Sequence, residues 1–202
     1  MKKKYRLMLL IIILLIIGGI IFYKKSIKNS KTGENKNSQE IVDYILNLSS
    51  YKTKITVNIT SNKNNNKYIL KQEFKGNKEN IQEVIEPSNI AGIKIINDGT
   101  NLKIENSNLN LNTIIENYTY LGNNCLDLST FIENYKVNNK SNYEENENEI
   151  IMKTIVESDN IYVKEEILYI DRSTMKPTKM EIKDDKQKTR IYILYNEVEI
   201  NM

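Results

Sequence analysis

The sequence predicts an α+β fold, a long curved antiparallel sheet lying over two helices on one face, preceded by one N-terminal transmembrane helix. Three observations predict it. Apolar and polar residues alternate from Ile55 to Ile104 and again from Ile150 to Ile200, the period of strands that bury one face. Two segments, after Ser38 and after Leu126, instead place apolar residues three and four apart, as an amphipathic helix does. Short clusters of Asn, Asp, Ser and Gly separate the alternating runs, so consecutive strands return antiparallel and the helices segregate to one side.

The first element is the charge-free run from Leu7 to Tyr23, behind Lys2, Lys3, Lys4 and Arg6. At 1.5 Å per residue it spans about 25 Å, close to the thickness of a bilayer's hydrocarbon core. Leu7, Leu10, Ile13, Ile16, Ile20 and Phe22 are its membrane-facing residues. A cleaved secretory signal is the rival reading, but the run closes on Ile20-Ile21-Phe22-Tyr23 and Lys24-Lys25 rather than on small residues. No cysteine follows it, which removes an N-terminal lipid anchor; the single cysteine is Cys125. The chain then divides into a basic start (1–6), the anchor (7–23), a polar flexible tether (24–38) and one extracytoplasmic domain (39–202).

Within that domain Ser38 is the expected N-cap of a short helix whose apolar face is Ile41, Val42, Ile45, Leu46 and Leu48. Ile55, Val57 and Ile59 alternate in the first strand. Asn62 to Asn66 form a turn, Tyr68 to Phe74 a second strand, and Ile81 to Ile85 a third that runs into Pro87. Ile93 to Ile96 and Leu102 with Ile104 flank the Asn97-Asp98-Gly99-Thr100 turn, where glycine supplies a positive φ. Residues 109–121 fit a strand or a helical turn equally. Leu126 to Tyr135 predicts the second helix, started near Asp127 or Ser129. Asn138 to Asn148 is polar and acidic and predicts an exposed loop. Four strands close the chain: Ile150 to Val156, Ile161 to Ile170 with Ile167 pointing inward, Thr178 to Ile182, and Arg190 to Ile200.

Composition excludes whole classes of function. Residues 1–38 hold nine Lys/Arg and one acid, which leaves 20 Lys/Arg against 25 Asp/Glu beyond them. A domain of that sign lacks the basic face that neutralises phosphates, so no nucleic acid is expected. The chain has no His and no cluster with metal-ligand spacing, so neither a metal nor a His-based catalytic site is expected, and no cofactor. Cys125 reads as a small buried apolar residue, or as a thiol that links two chains into a homodimer. The adjacent carboxylates Glu165-Glu166 and Asp184-Asp185 fall on opposite strand faces or in a turn and read as solvated charges rather than an acid–base pair. Tyr162, Tyr169, Tyr192 and Tyr195 read as core and half-exposed sheet positions.

Several segments carry a likeness to a known family. Lys75-Gly76-Asn77-Lys78, Glu83-Val84-Ile85-Glu86-Pro87, Ala91-Gly92-Ile93 to Ile96 and Asn97-Asp98-Gly99-Thr100-Asn101-Leu102 resemble the LolA/LolB-like lipoprotein-carrier superfamily. Leu168-Tyr169-Ile170-Asp171, Thr174, Pro177, Met180-Glu181-Ile182 and Tyr195-Asn196-Glu197-Val198 are similar to its C-terminal hairpin. Within it the chain looks most like the clostridial germination lipoprotein GerS and its relatives, with the lipid-bearing cysteine missing. The resemblance implies an incomplete β-barrel, a curved sheet around an apolar hollow. It also implies a non-enzymatic partner of the N-acetylmuramoyl-L-alanine amidase that modifies spore cortex. The alternative is a lipid or lipoprotein carrier or sensor that holds an acyl chain in the hollow.

Overall fold

The computed structural model describes residues 36–76, 79–118, 125–157 and 159–201. The expected anchor, with Leu7, Leu10, Ile13, Ile16, Ile20 and Phe22, and most of the tether lie outside the described residues. Among those described, no helix is long and apolar enough to cross a membrane.

The fold is α+β, as predicted. Eleven antiparallel strands form one sheet: β1 (Ser50–Thr60), β2 (Asn65–Lys75), β3 (Glu79–Glu86), β4 (Lys94–Asn97), β5 (Leu102–Asn106), β6 (Leu111–Ile115), β7 (Asn142–Glu145), β8 (Glu149–Ile155), β9 (Glu165–Asp171), β10 (Lys176–Lys183) and β11 (Thr189–Ile200). Their order is β6-β5-β4-β3-β2-β1-β11-β10-β9-β8-β7. The sheet is open, with β6 and β7 as its edges. Two helices, α1 (Ser38–Leu46) and α2 (Leu128–Val137), rest on β8 and on each other.

The first six strands form a meander that ends at β6, and the last five form another that starts at β7. β1 and β11 join them, paired from Tyr51 opposite Ile200 to Ile59 opposite Ile191, with a bulge between Lys54 and Ile55. Strand alternation across this seam lines up one apolar row over six strands: Val57, Ile193, Met180, Leu168, Met152 and Tyr143. Ile41, Val42 and Ile45 of α1 and Leu128, Phe131 and Ile132 of α2 close over that row. Burying a side chain of this size is worth roughly 1.5–3 kcal/mol, so the row and its helical cover are the principal stabilising contact.

Local chemistry explains the element ends, and several differ from the sequence reading. The N-cap of α1 is Asn37, not Ser38: its Oδ1 accepts from the Glu40 N–H at 2.9 Å, and the Glu40 carboxylate accepts from the Asn37 N–H. The segment expected to be a loop before β8 holds β7, whose polar side chains suit an edge that meets water. Strand β9 begins at Glu165 rather than Ile161, because Asn160 Oδ1 accepts from the Tyr162 N–H and folds residues 160–163 into a turn. At the undecided stretch the chain leaves a 3-10 turn over Ser107–Leu109, passes a left-handed Asn110 and enters β6, while its residues 119–121 lie outside the described residues. Gly99 has φ +90° in the β4–β5 turn, as its position requires.

The buried ring of Phe131 is a direct test of the helical cover. Phe131→Ala should destabilise the chain by about 3–5 kcal/mol in urea unfolding. Val137→Ala, on an 82 % exposed residue of the same helix, should stay within about 0.5 kcal/mol.

Candidate functional site

Asp127 caps α2, its Oδ1 accepting from the Ser129 N–H at 3.2 Å. The same oxygen accepts from the Tyr51 hydroxyl of β1, whose oxygen in turn accepts from the Ser129 N–H at 3.3 Å. Gln72 donates to the Leu126 carbonyl at 2.8 Å and Asn80 donates to Ser129 Oγ at 3.2 Å. Strands β1, β2 and β3 thereby hold the start of α2. Tyr51 also stacks on Phe74, with ring centroids 5.5 Å apart. Burial raises the Asp127 carboxyl above the usual carboxylate range despite these donors. Burial, with the Asp127 carboxylate next, likewise raises Tyr51. The sequence reading left the cap between Asp127 and Ser129; the structure assigns Asp127.

A second buried acid lies under the middle of α2. Glu166 is 1 % exposed, flanked on the sheet by Ile182 and Thr154. Asn134 Nδ2 donates to it at 3.0 Å. Burial pushes its carboxyl up to about 7. This corrects the expectation of a solvated charge. Glu165 does sit on the opposite face, but Glu166 shares the parity of Leu168 and Ile170 and so enters the core. Asp184, the other acid read as solvated, is 2 % exposed and pairs with Arg190 Nε at 2.6 Å. Burial opposes its ionisation, but the Lys188 N–H, the Arg190 guanidinium and the Lys186 N–H outweigh it and hold the carboxyl below its usual range.

No nucleophile is activated in this set. Cys125 is buried and free; burial, with Glu166 nearby, pushes its thiol up to about 12, far from the thiolate a reactive cysteine needs. Among the described residues no three His, Cys, Asp or Glu side chains converge on a metal-sized site. Tyr195 is buried, its hydroxyl pushed up by burial and then by Asp127 and Glu166, whereas Tyr162 is 50 % exposed under the Arg190 guanidinium. Ile167 faces away from the helices, beside Lys153 and Glu181, which corrects its expected inward position.

From the start of α2 outward the covered face changes character. Register continues the Thr53 row through Gln72 and Gln82 to Ile95, Ile104 and Thr113. Thr53 Oγ1, Gln72 Oε1 and Asn80 Oδ1 are buried without a hydrogen-bond partner, while the Gln82 side chain donates to Asp127. Past them Ile95, Leu102, Ile104 and Leu111 are half-buried and Ile115 is 41 % exposed. The opposite face carries a shallow depression of about 230 Å³ lined by Lys52, Lys54, Lys71, Glu73, Glu83 and Glu197 among others, with Lys52–Glu73 at 3.4 Å and Lys54–Glu197 at 3.7 Å.

The domain is thus an open antiparallel sheet covered in part by two helices, with buried acids that serve packing. The chain belongs to the YdcC-like sporulation protein family, whose model matches residues 3–202. Its fold is similar to that in the structure of the CwlD amidase from Clostridioides difficile in complex with the GerS lipoprotein, at 24 % identity and TM-score 0.54 over 81 % of this chain and 93 % of that one. It is also similar to an uncharacterized conserved protein from Thermus thermophilus, at 10 % identity and TM-score 0.53 over 82 % and 88 % of the two chains. A LolA-superfamily protein from Nitrosomonas europaea matches at 12 % identity and TM-score 0.43 over 83 % and 94 %. No curated protein matches the sequence.

Two substitutions test the buried polar groups. The folded-state pKa of Glu166, about 7, lies above its ordinary 4.5, so stability attached to Glu166 is whole below pH 4.5 and is lost as pH rises through 7. Relative to Glu166→Gln, the native chain should lose about 3 kcal/mol between pH 4.5 and roughly pH 8, read from urea midpoints of both chains across that range. Tyr51→Phe, which deprives the buried Asp127 of a donor, should cost about 1–3 kcal/mol at neutral pH.

Proposed function

We propose that the chain is a membrane-tethered, non-enzymatic extracytoplasmic protein of sporulation or germination that works by binding a partner protein, a cortex-modifying N-acetylmuramoyl-L-alanine amidase. The setting follows from the family, and the partner from the likeness to the fold of GerS, which is bound to the CwlD amidase in its own structure. The apolar run 7–23 supplies the tether. The domain sits on the far side of the membrane, the sheet curving as an incomplete barrel around α1 and α2.

One observation carries the choice of a protein over an acyl chain. In the half of the sheet where a carrier's hollow would lie, the space is filled by Ile41, Val42, Ile45, Leu128, Phe131 and Ile132, each no more than 8 % exposed. At the start of α2 the Thr53–Gln72–Gln82 row is polar and buried. That row interrupts the apolar lining an acyl chain would need along this face. The absence of His and the buried state of Cys125 support a binding role over chemistry.

The full chain, solubilised in detergent from sporulating cells, should retain a cortex amidase on affinity capture and show no saturable binding of a fluorescent fatty acid. Loss of the amidase while other envelope proteins are retained would overturn the partner. Saturable fatty-acid binding that is abolished by Ile104→Asp would favour the carrier reading instead.

A further inference from the structure

The two edges of the sheet are unequally guarded. Edge strands expose unpaired main-chain donors and acceptors and are normally protected by charge, proline or shortness. Edge β7 follows that rule: it is four residues long and carries Glu144, paired with Lys153 at 2.6 Å, and Glu145, paired with Arg172 at 3.1 Å. Edge β6, Leu111-Asn112-Thr113-Ile114-Ile115, has no charge and no proline. Ile114 is 59 % exposed, Ile115 41 %, and the preceding Leu109 55 %. On its outer side no described residue hydrogen-bonds to it. In an antiparallel ladder alternate residues aim their N–H and C=O groups outward, so β6 presents an apolar edge ready to accept a further strand.

We infer that β6 pairs antiparallel with β6 of a second copy of this chain, about a two-fold axis at Thr113. Three features select that occupant. The strand is self-complementary in this register: Leu111 meets the second copy's Ile115 on the covered face, Asn112 meets its Ile114 on the other face, and Thr113 meets itself. No charge opposes the approach. The other edge is the wrong partner, because setting β6 against β7 would desolvate Glu144 and Glu145 and, repeated head to tail, would build an open fibre, whereas β6 on β6 consumes the free edge of both copies and closes. The pairing also extends the half-buried Ile104 and Leu111 strip across the axis. Five residues a side bury less than a standard stable interface, so association is reversible and rises with protein concentration. This inference stands apart from the choice of amidase or acyl chain.

Full-length chains with Thr113→Cys, Asn112→Cys or Ile114→Cys, in detergent and treated with diamide, test the register. The parent, whose Cys125 thiol is buried, is the control. Thr113→Cys should give a disulfide-linked dimer well above the parent and both neighbours, because only position 113 faces its own copy. Sedimentation of the parent should show a monomer–dimer equilibrium that Ile114→Lys abolishes while leaving the urea midpoint unchanged. A parent that stays monomeric across the concentration range, cross-linking without preference for position 113, or a ladder of larger assemblies would each overturn the inference.

Discussion

The structure depends on the pairing of β1 with β11. The first strand of the domain and the last lie side by side at the centre of the sheet, so the contact is among the most distant in sequence that the chain makes. Everything on one side of this seam, β2 to β6, is a hairpin meander, and everything on the other, β10 back to β7, is another. Joined through the Tyr51–Ile59 and Ile191–Ile200 register, they align the row from Val57 to Tyr143 on which α1 and α2 rest. Closing so long a loop is entropically costly. The offset comes from apolar burial beneath the helices and from the polar contacts that bind Asp127 to β1 itself.

Local pattern made much of this legible. Alternation placed nine of the eleven strands and left β6 undecided, since a sheet with one covered face writes its burial directly into a period of two. It missed β7 because a four-residue edge strand with a single core-facing residue, Tyr143, has too little alternation to read. It extended β9 too far toward Ile161 because Ile161-Tyr162-Val163 is apolar enough to imitate a strand, while the Asn160 side chain that turns the chain acts through one hydrogen bond. It placed the helix cap one residue late because Ser38 and Asn37 are both good caps, and the reciprocal Glu40 contact decides between them.

The buried acids were harder to see. Glu166 was readable in principle, as it shares the parity of Leu168 and Ile170, yet nothing local says that Asn134 would lie above it. Asp184 needed Arg190, six residues on and across a turn. Burial of a charge is set by partners that arrive through tertiary register, so composition treats such residues as solvent-exposed by default. Their presence fits a domain whose polar interior fixes one arrangement of helix on sheet. The Asp127 cap, tied to Tyr51 and surrounded by Gln72 and Asn80, fixes where α2 begins relative to β1 to β3, and hence how far the helical cover reaches before the amide row takes over.

The central position of β11 also bears on how the chain comes to be folded. A ribosome releases the N-terminal strands first, and β1 emerges with one side committed to β2 and the other bare. That bare side has to wait for residues 189–200, because its mate is β11. Until then the growing chain carries an exposed seam in the middle of its future sheet, and removing β11 divides the molecule rather than trims it.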